Sequence, residues 1–276
     1  MLGGVQRRAD AAVSRALSPV GRLLRHWRQA RGMSQLALAL RAGVTQRHVS
    51  FVESGRSRPG RQMVLTLAGV LDVPLRERNQ LLLAAGYAPV YPEDGLVGPD
   101  SAQVRAALER MLAGHEPYPA VVMDRHWNVL LTNKAAGAFF GWLRANERGS
   151  EGGADNVIRM MFDPAGLRPF VTNWEAVARS LVSRVHREAV GGVPDAETAA
   201  LLREVLAFPG VPASWQFDDL DRTLLPIVPV RFEKAGIALS YFSTITTFGT
   251  PQDVALQELR VESFYPADEE TSSHAW

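Results

Sequence analysis

The chain has 276 residues, of which 46% are hydrophobic, 8% aromatic and 21% charged, a composition that buries a core and excludes a wholly disordered or fibrous protein. It contains no cysteine, which removes disulfide frameworks, thiolate metal sites and cysteine nucleophiles. Its net charge of +1 conceals a division: residues 1–92 carry 14 arginines against four acids, or +10, and the remainder carries 16 bases against 25 acids, or −9. A basic segment joined to an acidic one points to a polyanion as partner of the basic one.

Residues 1–18 read as a basic arm. The pair Arg7-Arg8 is not followed by the apolar stretch of an export signal, because Asp10, Ser14 and Arg15 interrupt it. No apolar run approaches the ~18 residues of a membrane helix, so the expected location is the cytoplasm, with no membrane partner. Over residues 19–87 the apolar positions recur at helical spacing and each break carries a turn residue. Leu23, Leu24 and Trp27 mark a first helix that stops at Gly32. Ser34 offers an N-cap for a second, residues 35–41, and Gly43 suits the tight turn after it. Thr45 caps a third that runs to Ser54, with Val49 and Val52 turned inward; a fourth covers 62–71 and a fifth 75–85. Five short helices predict an all-α domain.

Residues 88–100 hold three prolines and two glycines and read as a linker. Beyond it, an amphipathic helix over 104–112 precedes two strands, 120–123 and 129–131, joined by Asp124-Arg125-His126. Asn133 reads as the N-cap of a helix through Phe140, helices follow over 174–189 and 195–208, and β-like runs close the chain at 227–232, 237–247 and 256–264. The predicted fold is therefore multi-domain: the five-helix domain, then an α+β domain over 101–266 with one antiparallel sheet and helices on one side of it. Asp268-Glu269-Glu270 reads as part of a solvated acidic tail, residues 267–276.

Helix, glycine turn and second helix at this spacing form a helix-turn-helix, whose second helix enters the major groove of DNA with its first residues at base edges. That helix opens Thr45-Gln46-Arg47-His48. Gln pairs bidentately with adenine and Arg with guanine, so Gln46 and Arg47 are the candidate base readers, beside Thr45. Ser50, one turn on, reaches a base or a phosphate; His48 contacts phosphate or nothing. Gln35, at the start of the preceding helix, suits a phosphate oxygen, and Arg56, Arg58 and Arg61 follow along the DNA backbone.

The stretches Met33-Ser34-Gln35-Leu36-Ala37, Ala42-Gly43-Val44-Thr45-Gln46, Val49-Ser50, Glu53-Ser54-Gly55-Arg56 and Pro59 resemble the lambda-repressor-like, XRE-type helix-turn-helix family over about residues 21–71. The resemblance implies that Arg28 and Glu53 pair internally rather than touch DNA. Residues 124–141, Asn156-Val157, Met161-Phe162-Asp163-Pro164, Asn173-Trp174 and residues 246–253, with Gly86-Tyr87-Ala88-Pro89 earlier, resemble the MmyB-like regulators. That likeness implies a PAS-like fold, a dimeric transcription factor and an apolar cavity that in part of the family accepts a fatty-acid-like molecule. Trp127, Phe139, Phe140, Phe162, Trp174 and Tyr241 are the candidate walls of such a cavity, with Arg159 and Asn173 as polar contacts, although aromatic residues in this number also make ordinary core.

No His-Glu-x-x-His, Gly-x-Ser-x-Gly or phosphate-loop motif occurs and the six histidines lack metal-ligand spacing, so neither an enzyme nor a metal or cofactor protein is expected. His126 beside Asp124 reads as surface chemistry. The expected function is a homodimeric, sequence-specific DNA-binding transcriptional regulator that binds a double-stranded operator and is controlled by a small apolar, fatty-acid-like ligand. The alternative is a DNA-binding regulator whose second domain only dimerises or binds protein.

Overall fold

The computed structural model describes residues 18–98, 101–144, 156–190, 195–217, 227–274 and 276. The chain divides into two units, one of residues 1–92 with 252–254 and one of residues 93–251 with 255–276.

The first unit holds five helices: α1 (Pro19–Ala30), α2 (Gln35–Ala42), α3 (Gln46–Glu53), α4 (Arg61–Val70) and α5 (Leu75–Ala84). Three hydroxyls cap them, each taking an amide that helix geometry leaves without a partner. Ser18 accepts from Gly21 N–H, Ser34 from Ala37 and Thr45 from His48, at 3.2, 3.0 and 3.2 Å. Gly43 ends α2 at φ +66°, a conformation a side chain would strain. Leu24, Leu38, Val49, Val52, Leu67 and Leu82 are buried together at the centre. Gly21 permits α1 to lie against α3: a Cβ there would meet the Glu53 and Val52 carbonyls at 2.5 and 2.8 Å.

The start of the predicted linker is not free chain. Asn79, buried on α5, accepts from the Val90 and Tyr91 amides at 3.0 and 3.1 Å and donates to the Tyr91 carbonyl at 2.8 Å. Its side chain satisfies backbone groups that a glycine- and proline-rich segment cannot pair by itself.

The second unit contains α6 (Ser101–Ala113), β1 (Ala120–Met123), β2 (Val129–Thr132), α7 (Lys134–Arg144), α8 (Val157–Phe162), α9 (Trp174–Val190) and α10 (Ala196–Ala207). It closes with β3 (Val230–Lys234), β4 (Ile237–Thr246), α11 (Val254–Glu258), β5 (Arg260–Pro266) and α12 (Glu269–Ser272). The strands form one antiparallel five-stranded sheet in the order β2-β1-β5-β4-β3, consistent with a PAS-like architecture. Asn133 caps α7 as predicted: its Oδ1 accepts from Ala136 N–H at 2.8 Å, and also from Ala120 N–H at 3.0 Å, tying the helix start to β1.

Three expectations are corrected. Helices cover both faces of the sheet, not one. Val121 and Met123 enter the large core with Phe139 and Phe162, while Ala120 and Val122 enter a smaller one with Leu108 and Leu112 of α6. A strand buried on both faces reads as a continuous apolar run, which is what residues 120–123 show. The predicted strand over 256–264 is helical at first, since Ala255, Leu256, Gln257 and Glu258 are good helix formers, and becomes β5 only where Val261 begins the β-favouring residues. The acidic end is a solvated tail only in part: Asp268, Glu269 and Glu270 are exposed, but Asp268 caps α12, Thr271 is fully buried with its Oγ1 accepting from Ser240 N–H at 2.8 Å, and the Trp276 ring lies 5.3 Å from Phe139.

Candidate functional site: a helix face and an apolar cavity

In the first unit one carboxylate organises the helix-turn-helix. Glu53, 1% exposed at the end of α3, pairs with Arg28 of α1 through two contacts, Nε to Oε1 at 2.6 Å and Nη2 to Oε2 at 3.0 Å. Gln35 at the start of α2 donates to Oε2 at 2.9 Å, and Arg25 adds its charge at 3.5 Å. Burial pushes the Glu53 carboxyl upward, but the Arg28 and Gln35 hydrogen bonds and the two arginine charges outweigh it and hold the group below the usual carboxylate range. The internal Arg28–Glu53 pair is thus present, and the Gln35 amide offered to a phosphate is instead engaged with Glu53.

The other DNA candidates divide by what holds them. Thr45, Gln46 and Arg47 are exposed at the first turn of α3, and Ser50 is half-buried one turn later. The Arg47 and Arg56 guanidiniums both lie against the Phe51 ring, at 5.0 and 5.7 Å, so the ring supports two exposed cations. Phe51 escaped the sequence reading, though it is the aromatic residue four places after Arg47 on the same helix. Arg58 does not belong with this set: its Nε and Nη2 donate to the Ala85 carbonyl at 3.1 and 2.8 Å and its guanidinium lies 5.7 Å from the Tyr87 ring, which makes it a clamp on the end of α5. His48 turns inward, with Nε2 buried.

The second unit holds a partly open cavity of about 170 Å³. Its walls are apolar, among them Trp127, Phe140, Met160, Leu181, Phe232 and Phe264, and its polar groups come from Ser180, Arg184, Ser243 and Glu262. Of the six candidate walls Trp127 and Phe140 line it; the other four, and the polar candidates Arg159 and Asn173, lie elsewhere. Phe139 is fully buried among Phe232, Tyr241 and Trp276. Phe162 packs on Trp174 at 5.9 Å, and Trp174 donates to the Met161 carbonyl at 2.9 Å beneath the Arg168 guanidinium. Tyr241 accepts from the Trp276 indole at 3.2 Å, and burial raises its phenol above the ordinary value. Arg159 is exposed and pairs with Glu204 through Nε at 2.8 Å and Nη2 at 2.9 Å. Asn173 ties Pro229 and Arg231 backbone instead. These rings fill core for the same reason they could have lined a void: both uses need large apolar surface, and only depth separates them.

Two polar residues of the cavity carried a signal in the sequence. Arg184 follows Val177 and Leu181 by seven and three places, on the apolar stripe of α9. Glu262 shares a strand face with Phe264, since alternate residues of β5 point the same way, and Phe264 enters the large core. Behind the lining, Arg184 and Trp127 belong to a charged cluster. Glu188 accepts from the Trp127 indole at 3.1 Å and pairs with Arg260 at 3.1 Å and Arg184 at 3.4 Å. The two guanidiniums lie 4.5 and 4.9 Å from the Trp127 ring, and Trp127 itself is held at φ +69°, a strained position for a bulky residue. Ser243 Oγ donates to Glu262 Oε1 at 2.6 Å. Burial pushes the Glu262 carboxyl upward, with Ser243, Arg184 and Arg260 pulling against it.

Away from the cavity, His126 is more than surface decoration: its Nε2 lies 3.0 Å from Asp195, which caps α10 through Thr198 and also meets Arg125 at 3.3 Å. Burial raises the Asp195 carboxyl, but the Thr198 hydrogen bonds, Arg125 and His126 overcome it and hold the group far below the usual range. Among the described residues no cluster of His, Asp and Glu could hold a metal ion and no helix is long and apolar enough to cross a membrane.

Residues 104–275 match the family described as MmyB-like transcription regulator ligand binding domain, and residues 24–78 match the family described as helix-turn-helix. The HTH-type transcriptional regulator RghRB of Bacillus subtilis (strain 168) is 32% identical over 107 residues, which span 38% of this chain and 68% of that protein. A solved RNA-binding light-oxygen-voltage receptor matches at 13% identity and a TM-score of 0.25, over 97% of this chain and 65% of that one. A likeness of that size carries no argument about either fold or function.

Proposed function

The chain belongs to the MmyB-like transcription regulators, with a helix-turn-helix domain ahead of the ligand-binding domain, and from that premise we propose that it reads a specific operator through α3 under the control of a small apolar molecule held in the cavity of the second unit. Its families are those of transcription regulators rather than enzymes.

The observation that carries the reading is the exposure of Gln46 and Arg47 at the first turn of α3, whose inner end is held by Glu53. Free amide and guanidinium groups on a fixed helix are the chemistry of base readout, Gln for adenine and Arg for guanine. Arg56 and Ser50 then serve the phosphates, and Gln35 holds the α2 start where its first-turn amides face a phosphate. The protein acts as a homodimer in the cytoplasm, two α3 helices addressing half-sites about 34 Å apart or a multiple of that. A fatty-acid-like effector suits the apolar walls, and it controls DNA binding only by favouring one arrangement of the two heads over another.

The test is genome-wide DNA pulldown with the Gln46→Ala, Arg47→Ala double variant alongside the wild type. Loss of site selection with retained weak binding at low salt supports the reading; an unchanged set of sites overturns it.

A further inference from the structure

One aromatic ring meets two of the cations assigned to DNA, and what that means for recognition rests on reading α3 as the helix that enters the groove. Phe51 stands four places after Arg47 on α3, the spacing at which side chains become neighbours on one helix face. The chain then folds back on it. Gly55, at φ +73°, donates its amide to the Val52 carbonyl at 3.1 Å, and the Arg56 amide donates to the Phe51 carbonyl at 2.8 Å. Those two bonds are a Schellman motif, which sets the residue after the glycine beside the third residue from the helix end, often in an apolar contact. Here the contact is a cation on a ring: the Arg56 guanidinium lies 5.7 Å from Phe51, and that of Arg47, from the preceding turn, 5.0 Å.

Attraction to a ring face occupies no N–H donor, so a guanidinium held this way keeps all its donors for another partner. Among the described residues neither Arg47 nor Arg56 makes a hydrogen bond or ion pair through its guanidinium. Arg58, two places beyond Arg56, is the contrast, with two of its nitrogens committed to the Ala85 carbonyl. A side chain that moves freely before binding loses rotamer freedom when a base or a phosphate fixes it, about two- to tenfold in affinity for each such arginine. One already resting on a ring has lost part of that freedom beforehand.

We propose that Phe51 is a positioning residue for operator recognition, its ring holding Arg47 for a base and Arg56 for a phosphate so that the two contacts keep one register. The ring acts through the arginines. It matters to a duplex that both of them engage, and not to a chain that lacks them.

The experiment measures, by fluorescence anisotropy, the affinity of full-chain variants for the duplex most enriched in the wild-type genomic pulldown and for an unrelated duplex of equal length. Phe51→Leu keeps apolar bulk and removes the ring. It is expected to weaken the enriched duplex about tenfold and the unrelated one by no more than about threefold, at an unchanged melting temperature. Phe51→Tyr is expected to bind as the wild type does. In an Arg47→Ala, Arg56→Ala background Phe51→Leu is expected to cost less than about twofold, whereas a merely structural ring would weaken both backgrounds alike. Equal losses in the two backgrounds, failure of Phe51→Tyr to match the wild type, or wild-type affinity in Phe51→Leu overturns the positioning role, and α3 stands as the reader wherever Gln46→Ala with Arg47→Ala abolishes site selection. If that double variant keeps the wild-type sites, α3 is not the reader and both fall.

Discussion

The two units place their chemistry on opposite sides of their own surfaces. In the first, the core is apolar apart from Asn79, Asp253 and Glu53 with its partners, and the side chains assigned to DNA stand outside on helices that do not depend on them for packing. In the second, the exposed charges pair among themselves, as Arg159 does with Glu204, and the groups assigned to the ligand are turned inward among valines and methionines. A surface that meets a large polyanion is built by leaving arginines free, whereas a site for a small molecule is built by desolvating a few polar groups and leaving space beside them. The first unit's function therefore tolerates loss of its readers without unfolding; the second unit's function and stability share the same residues.

The largest effect expected to sharpen that contrast is at Glu53. Glu53→Ala leaves the Arg28 charge without its carboxylate and should destabilise the first unit by about 3 kcal/mol, seen as a lowered first transition in calorimetry with the second unit's melting unchanged; a single concerted shift of the whole chain would break the comparison. Gln46→Ala with Arg47→Ala is expected to weaken operator binding by about 2 kcal/mol, from lost base contacts, while thermal unfolding stays as in the wild type. Asp195→Ala removes the α10 cap and the contacts to Arg125 and His126, and a loss of about 1 kcal/mol is expected at neutral pH. That carboxyl is held below its unfolded value, so its contribution is full above about pH 4 and fades as the pH falls further, and the mutant and wild-type melting temperatures should converge in strong acid.

Smallest is the change at Glu262→Gln, felt in the pH slope. Burial raises this carboxyl in the folded state above its unfolded value of about 4.5, so the folded chain keeps a proton that the unfolded chain gives up, and stability declines as the pH rises through that window. The glutamine variant should show a flatter decline from pH 5 to 8. An equal decline would mean that Glu262 titrates as it does in the unfolded chain.

Local rules made the first unit legible. Ser34 and Thr45 cap the helices they were assigned because an N-cap needs only its own next turn, and Gly43 takes positive φ for the same local reason. The misreadings there came from distance: Gln35 is committed to Glu53, eighteen places on, and Arg58 to Ala85, twenty-seven places on. In the second unit β1, β2, α7, α9 and α10 are readable from period and cap, as at Asn133, but α8, α11, α12 and the cavity are not. Ring content points equally to core and to wall, and at Phe139 and Phe162 the structure makes it core. The informative residues were the charges in the wrong place, Arg184 on an apolar stripe and Glu262 in step with Phe264. The continuous apolar run of residues 120–123 likewise announced α6 on the far side of the sheet, a second layer that an alternating strand would not have needed.

The single carboxylate that joins α1, α2 and α3 has a consequence for how such a protein diverges. Since Glu53 fastens the helix pair from within and Gln46 and Arg47 bear none of that burden, the two readers are free to drift while the scaffold stays constant. New operators can thus be acquired by exchanging two exposed side chains, so that paralogues descended from one ancestor could part company in the genes they govern long before their architecture differs.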